Sequence, residues 1–158
     1  MSESSASKLY SPDLLARAVS LANYPIEPNS PEQQSLTLRG EARSRSCGSA
    51  LELGLALDEH QTIGSIGLRV TACAVGQAAA AIFAEGAKGQ DAASLAASLD
   101  EIERWLAKQG DIPTWPDFAA LAPALPHLGR HDAIKLAWQA GLMAFSHRAE
   151  LSKETLTR

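Results

Sequence analysis

Residues 50–58 read Ala50-Leu51-Glu52-Leu53-Gly54-Leu55-Ala56-Leu57-Asp58. Leucine falls at every second position, separated by Glu52, Gly54 and Ala56. A period of two sustained over this length is a half-buried strand with one apolar face. The pattern continues on both sides. Upstream, Leu36, Leu38 and Ala42 alternate with Thr37, Arg39 and Glu41. Downstream, Asp58-Glu59-His60-Gln61 is a polar turn, and a third strand is predicted from about Thr62 to Thr71, with Ile66, Leu68 and Val70 on one face. Ile63 is out of phase, and the adjacent Gly64 predicts a bulge. Three consecutive strands joined by short turns predict an antiparallel meander.

Helices surround this core. Ser11 can cap a first helix, Pro12 suits its first turn and Asp13 its N-terminal dipole. Leu14, Ala18 and Leu21 give that helix an apolar side, and Tyr24-Pro25 ends it. Pro25, Pro28 and Pro31 predict an extended linker. Ala72–Ala84 is an alanine-dominated helix, closed by Gly86 and Gly89. Asp91–Gln109 holds either one helix or two helices separated near Asp100. Pro113 and Pro116 mark a loop before a short segment at Phe118–Leu121. A last helix is predicted from Arg130 to Ala149, with Ile134, Trp138, Leu142 and Phe145 as its core stripe. The fold class is therefore α+β, a three-stranded antiparallel sheet with helices packed on one face. Residues 1–8 read as a disordered tail, 9–149 as one domain and 150–158 as a polar tail.

The chain has 158 residues, 46% of them hydrophobic and 20% charged, which is enough to build one core without disulfides. A net charge of −4 argues against a nucleic-acid partner, which a basic surplus would announce. The longest apolar run, Ala78–Ala84, is too short for a bilayer, so no membrane is expected. Met1–Lys8 is Ser-rich and lacks the apolar centre of a secretory signal. Two cysteines without an export signal predict a reducing, cytoplasmic setting and free thiols or metal ligands.

The meander places those cysteines. Cys47 lies in the connection between the first two strands, and Cys73 lies just past the end of the third. The third strand returns beside the start of the second, so both thiols belong to one edge of the sheet. Cys73 is predicted in the first turn of the alanine-rich helix, among unpaired backbone N–H groups that favour a thiolate. Gly48 gives room beside Cys47, and Arg43 and Arg45 add positive charge. Two such thiolates can bind a soft metal or accept sulfur.

The run Ser46-Cys47-Gly48-Ser49, through the leucine strand, to Leu68-Arg69-Val70-Thr71-Ala72-Cys73-Ala74 resembles the NifU-like, or U-type, iron–sulfur cluster assembly scaffold family. Ala78–Ala81 and Glu85-Gly86-Ala87-Lys88-Gly89 resemble its small-residue helix and Lys-Gly turn. The likeness spans roughly residues 9–148. It implies a scaffold or carrier, not an enzyme, that receives sulfur from a cysteine desulfurase, holds iron or a [2Fe–2S] cluster and passes it to apo acceptor proteins. Cys47 and Cys73 match the family's first two cysteines. Ser49 stands where the family has Asp, Ala133 stands at the third cysteine, and the chain contains no third cysteine. The start of the last helix then implies Asp132 as the first additional ligand, His131 as the second and His127 as a distant third. Two thiolates with such donors suit zinc as well as iron. A persulfide acceptor and a partner-binding module without a cluster remain open alternatives.

Overall fold

The computed structural model describes residues 9–156 except 28–29, 32–33 and 46–47, with side chains as far as Arg148. Helix α1, Pro12–Ser20, starts where the sequence puts it: Ser11 Oγ accepts the Leu14 N–H at 3.1 Å, and Pro12 opens the first turn. A 3-10 turn at Leu21–Asn23 extends it. Strands β1 (Leu38–Arg43), β2 (Ala50–Leu57) and β3 (Ile63–Thr71) then form an antiparallel sheet in the order β1-β2-β3. Leu38, Gly40 and Ala42 pair with Leu55, Leu53 and Leu51, which pair in turn with Ile66, Leu68 and Val70. All nine residues share one face. Gly64 is the bulge, since Ala56 pairs with Ser65 and Leu57 with Ile63. The bulge sends Ile63 into the core, where it is buried, and its backbone pairs with Gly89 and Gln90 in the turn after the next helix.

Helix α2, Ala74–Ala87, is buried on nearly every side, which is why its sequence is apolar all round. It packs on α1, on β3 and on the terminal helix. Helix α3, Ala92–Leu106, opens on a capping box between Asp91 and Ser94. Of the two readings the single helix is the one found, and Asp100 lies inside it, bridged to Arg104 one turn on at 3.1 Å. It stops before Gln109 because Lys108 takes a positive φ of 59°. Lys108 N–H then returns to Trp105 and Gln109 N–H to Arg104, a Schellman closure. Two 3-10 segments, Phe118–Ala124 and Leu128–Arg130, lead into α4, His131–Leu156. The helix thus runs beyond Ala149.

Helix α4 lies across β1 and β2. The approach is set by Gly40, where a Cβ would collide with the Ala140 carbonyl. Ile134 and Trp138 are buried, with Leu142 and Phe145 half-buried behind them. Trp138 centres an aromatic cluster, with ring centroids 5.2 Å from Phe83, 5.3 Å from Trp115 and 5.9 Å from Phe118.

The free sides of the two outer strands, β1 and β3, are partnered by other parts of the chain. At β3, Leu68 N–H donates to the Tyr24 carbonyl at 2.7 Å, so the proline segment around Pro25 lies along the strand. At β1, His147 Nδ1–H donates to the Arg39 carbonyl at 3.1 Å, and the Glu41 N–H points to Met143 Sδ at 3.5 Å.

Two outcomes follow from this packing. Gly40→Ala is expected to lower folding stability by about 1–3 kcal/mol, the range for overpacking a tight contact, read from urea unfolding; an unchanged midpoint would contradict the β1–α4 contact. The Asp58 carboxylate accepts from the Thr62 hydroxyl at 2.6 Å, the Thr62 N–H at 3.0 Å and the His60 N–H at 2.9 Å. Those bonds, the Thr62 hydroxyl first, hold its pKa below the ordinary carboxylate value. A lowered folded pKa gives stability that is present above the unfolded value and lost as pH falls through the folded one. The stability gap between wild type and Asp58→Ala should therefore be full at neutral pH and close below about pH 4.

Candidate metal and sulfur site

The site is built by register. Ala50, the first residue of β2, sits opposite Thr71, the last residue of β3. The pairing continues past β1, since the Ser44 N–H donates to the Ser49 carbonyl at 2.8 Å. The β1–β2 connection and the β3–α2 connection therefore leave the sheet at the same edge. Cys47 and Ser46 lie outside the described residues. Gly48 is exposed, and its φ of +70° is the reason for glycine there, because nothing stands within 4 Å of where a Cβ would be. Ser49 is buried.

Cys73 is half-buried and is the N-cap of α2, one residue before the first turn. Its backbone is extended, with φ −66° and ψ 173°, and its side chain makes no capping bond. The Cys73 carbonyl accepts the Gln77 N–H at 2.9 Å, and Gln77 Nε2 donates to the Ala72 carbonyl at 3.0 Å. Gln77 thus braces both residues of the β3–α2 junction. Sequence reasoning passed over it; its signal is the one-turn spacing from Cys73.

The start of α4 reaches the same region. Gly76, three residues past Cys73, packs on Ala133, and a Cβ on Gly76 would stand 3.2 Å from the Ala133 Cβ. Ala133 is buried in this contact. Asp132 is half-buried, with its carboxylate 3.9 Å from Lys135 Nζ. His131 Nε2 lies 2.8 Å from the Leu125 carbonyl. A carbonyl only accepts, so Nε2 carries the proton, and the lone pair of the neutral ring is on Nδ1. This is the bond that commonly orients a metal-binding histidine. His127 is half-buried in the turn before α4, with its N–H bonded to the Ala124 carbonyl. His60 is exposed in the β2–β3 turn, and His147 is held at the β1 edge. Among the described residues, no three His, Cys, Asp or Glu side chains form a group that could hold a metal ion, and no helix is long and apolar enough to cross a membrane.

The fold, a three-stranded antiparallel sheet with helices over one face, is that of NifU-like and SUF-type scaffold structures. One similar structure is a nitrogen-fixing NifU-like protein, N-terminal part, from Brucella abortus: TM-score 0.75 and 23% identity, covering 93% of this chain and 99% of that one. Another is a candidate iron–sulfur cluster assembly scaffold for the SUF system from Fervidobacterium islandicum: TM-score 0.72 and 16% identity, covering 87% and 96%. A third, a hypothetical protein, aligns with TM-score 0.62 and 17% identity, over 84% and 96%. No family model and no curated protein matches the sequence.

Cys73→Ser is expected to leave the thermal midpoint within a few degrees of wild type, because serine is a strong N-cap. A large drop would show that the thiol is a core group rather than an available one.

Proposed function

We propose that this protein is an iron–sulfur cluster assembly scaffold or carrier. Cys47 and Cys73 hold iron or a [2Fe–2S] cluster, and the start of α4 adds Asp132 as the first further donor and His131 as the second. Sulfur comes from a cysteine desulfurase, and the cluster passes to apo acceptor proteins. The setting is cytoplasmic, and the protein performs no catalysis of its own. The observation that supports this reading is the register of Ala50 with Thr71, by which the connections carrying Gly48 and Cys73 leave the sheet at the same end, on a fold shared with scaffold structures. Thiolates are the ordinary ligands of such clusters, and His can replace Cys. The Leu125 carbonyl supports His131 as a donor through Nδ1. A second reading, zinc in place of iron, is favoured by the same carboxylate and imidazole donors.

Anaerobic purification followed by iron, sulfide and zinc quantification separates the two. The expected result is iron with matching sulfide and visible charge-transfer absorption, lost in Cys47→Ala and Cys73→Ala and transferable to an apo ferredoxin. Stoichiometric zinc without colour would replace iron by zinc in this account. Protein free of both metals after anaerobic iron and sulfide loading would leave a partner-binding module. Asp132→Ala is expected to weaken metal binding by about tenfold or more, with His131→Ala carrying that loss instead if the imidazole is the donor; wild-type affinity in both would remove α4 from the site.

A further inference from the structure

We propose that the cleft between β1 and the C-terminal half of α4 is a copper(I) site, with Met143 Sδ and His147 Nε2 as its ligands. It does not draw on the scaffold reading and lies apart from the cysteine end of the sheet. At that end Arg43 pairs with Ala50; Arg39 is four residues back along β1, roughly 13 Å away at the rise of a strand. The cleft has a volume of about 320 Å³ and is lined by Arg39, Gly40, Glu41, Glu52, Met143 and His147. Met143 and His147 are one helical turn apart, so their side chains project from one face of α4, and both are exposed. The histidine is oriented for coordination. Its Nδ1–H donates to the Arg39 carbonyl at 3.1 Å, which leaves the lone pair of the neutral ring on Nε2. The thioether keeps a lone pair as well, because its sulfur has two and the Glu41 N–H, at 3.5 Å, engages one.

The donor set selects the ion. Thioether sulfur is a soft ligand that favours copper(I), and imidazole suits copper equally. Zinc takes Cys, His, Asp or Glu ligands in sets of at least three, and no three of these form such a group among the described residues. Charge agrees with this choice. Glu41 and Glu52 stand directly opposite each other in the register, an unfavourable pairing of like charges that a cation in the cleft relieves. Two guanidiniums limit how much positive charge the cleft accepts. Arg69 Nη1 lies 3.4 Å from Glu52, and Arg39 Nη1 lies over Gly54, 3.2 Å from where a Cβ would stand. Such surroundings suit a monovalent ion better than a divalent one. Coordination keeps both bonds that α4 makes to the β1 edge, so bound copper fastens α4 to β1.

The test titrates tetrakis(acetonitrile)copper(I) under argon into the Cys47→Ser/Cys73→Ser protein, in which no thiol competes, and follows carbon-13-labelled methionine methyl signals by NMR. Met143 is one of two methionines, the other being Met1, so the spectrum is simple to read. The expected result is a shift of the Met143 methyl that saturates at one copper per chain, with a rise in the thermal midpoint. Met143→Leu and His147→Ala, made in the same background, should each weaken copper binding by about tenfold or more. Zinc should leave the methyl signal in place. A Met143 methyl unmoved by excess copper would overturn the site, as would undiminished affinity in His147→Ala or an equal shift with zinc. If the serine variant does not fold, the same titration of the wild-type chain, carried past the copper its cysteines take, decides between the same outcomes.

Discussion

The antiparallel register of β2 with β3 carries everything else. Leu53 opposite Leu68 fixes one apolar face, and Ala50 opposite Thr71 fixes where the two connections meet. A slip of one residue would turn Leu51, Leu53 and Leu55 away from α2 and α4 and expose them, so burial of those leucines holds the register. The bulge at Gly64 completes the constraint. It lets β3 begin with Ile63 anchored to Gly89 and Gln90, tying the far end of the sheet to the α2–α3 turn. The same core packing that stabilises the fold thus fixes where the β1–β2 and β3–α2 connections leave the sheet.

The helices start from the places that register fixes. α2 starts directly where β3 stops, and its N-cap is a cysteine rather than the serine or aspartate that would satisfy the first N–H groups. A residue that caps poorly but carries sulfur is a local departure from what helix stability favours. Such departures are expected where a residue serves binding. α4 is brought to the same place by small residues: Gly40 against Ala140 over the sheet, and Gly76 against Ala133 at the helix starts.

Much of this was legible in the sequence, for identifiable reasons. Leucine at period two, Gly64 beside an out-of-phase Ile63, and Ser11-Pro12 are local signals, and local signals suffice for strands, bulges and caps. The continuity of α3 was not legible, because Asp100 is a poor helix former taken alone and its bridge to Arg104 is what the folded chain adds. The end of α3 was missed because Lys108, not a glycine, takes the left-handed position. Cys73 is the N-cap of α2 rather than a first-turn residue, because the alanine run gives no local mark of where the helix begins. The edge covers, Pro25 on β3 and His147 with Met143 on β1, depend on contacts across the whole chain and leave no short-range trace. The orientation of His131 by the Leu125 carbonyl is of the same kind.

The central claim is that one edge of this sheet presents sulfur ligands to iron. Iron-edge X-ray absorption of the anaerobically loaded protein tests it most directly, because the scattering reports which atoms surround the metal. The account predicts sulfur in the first coordination sphere of the wild-type protein, with the sulfur contribution falling in Cys73→Ser. A first sphere of oxygen and nitrogen alone, unchanged by that substitution, would contradict it.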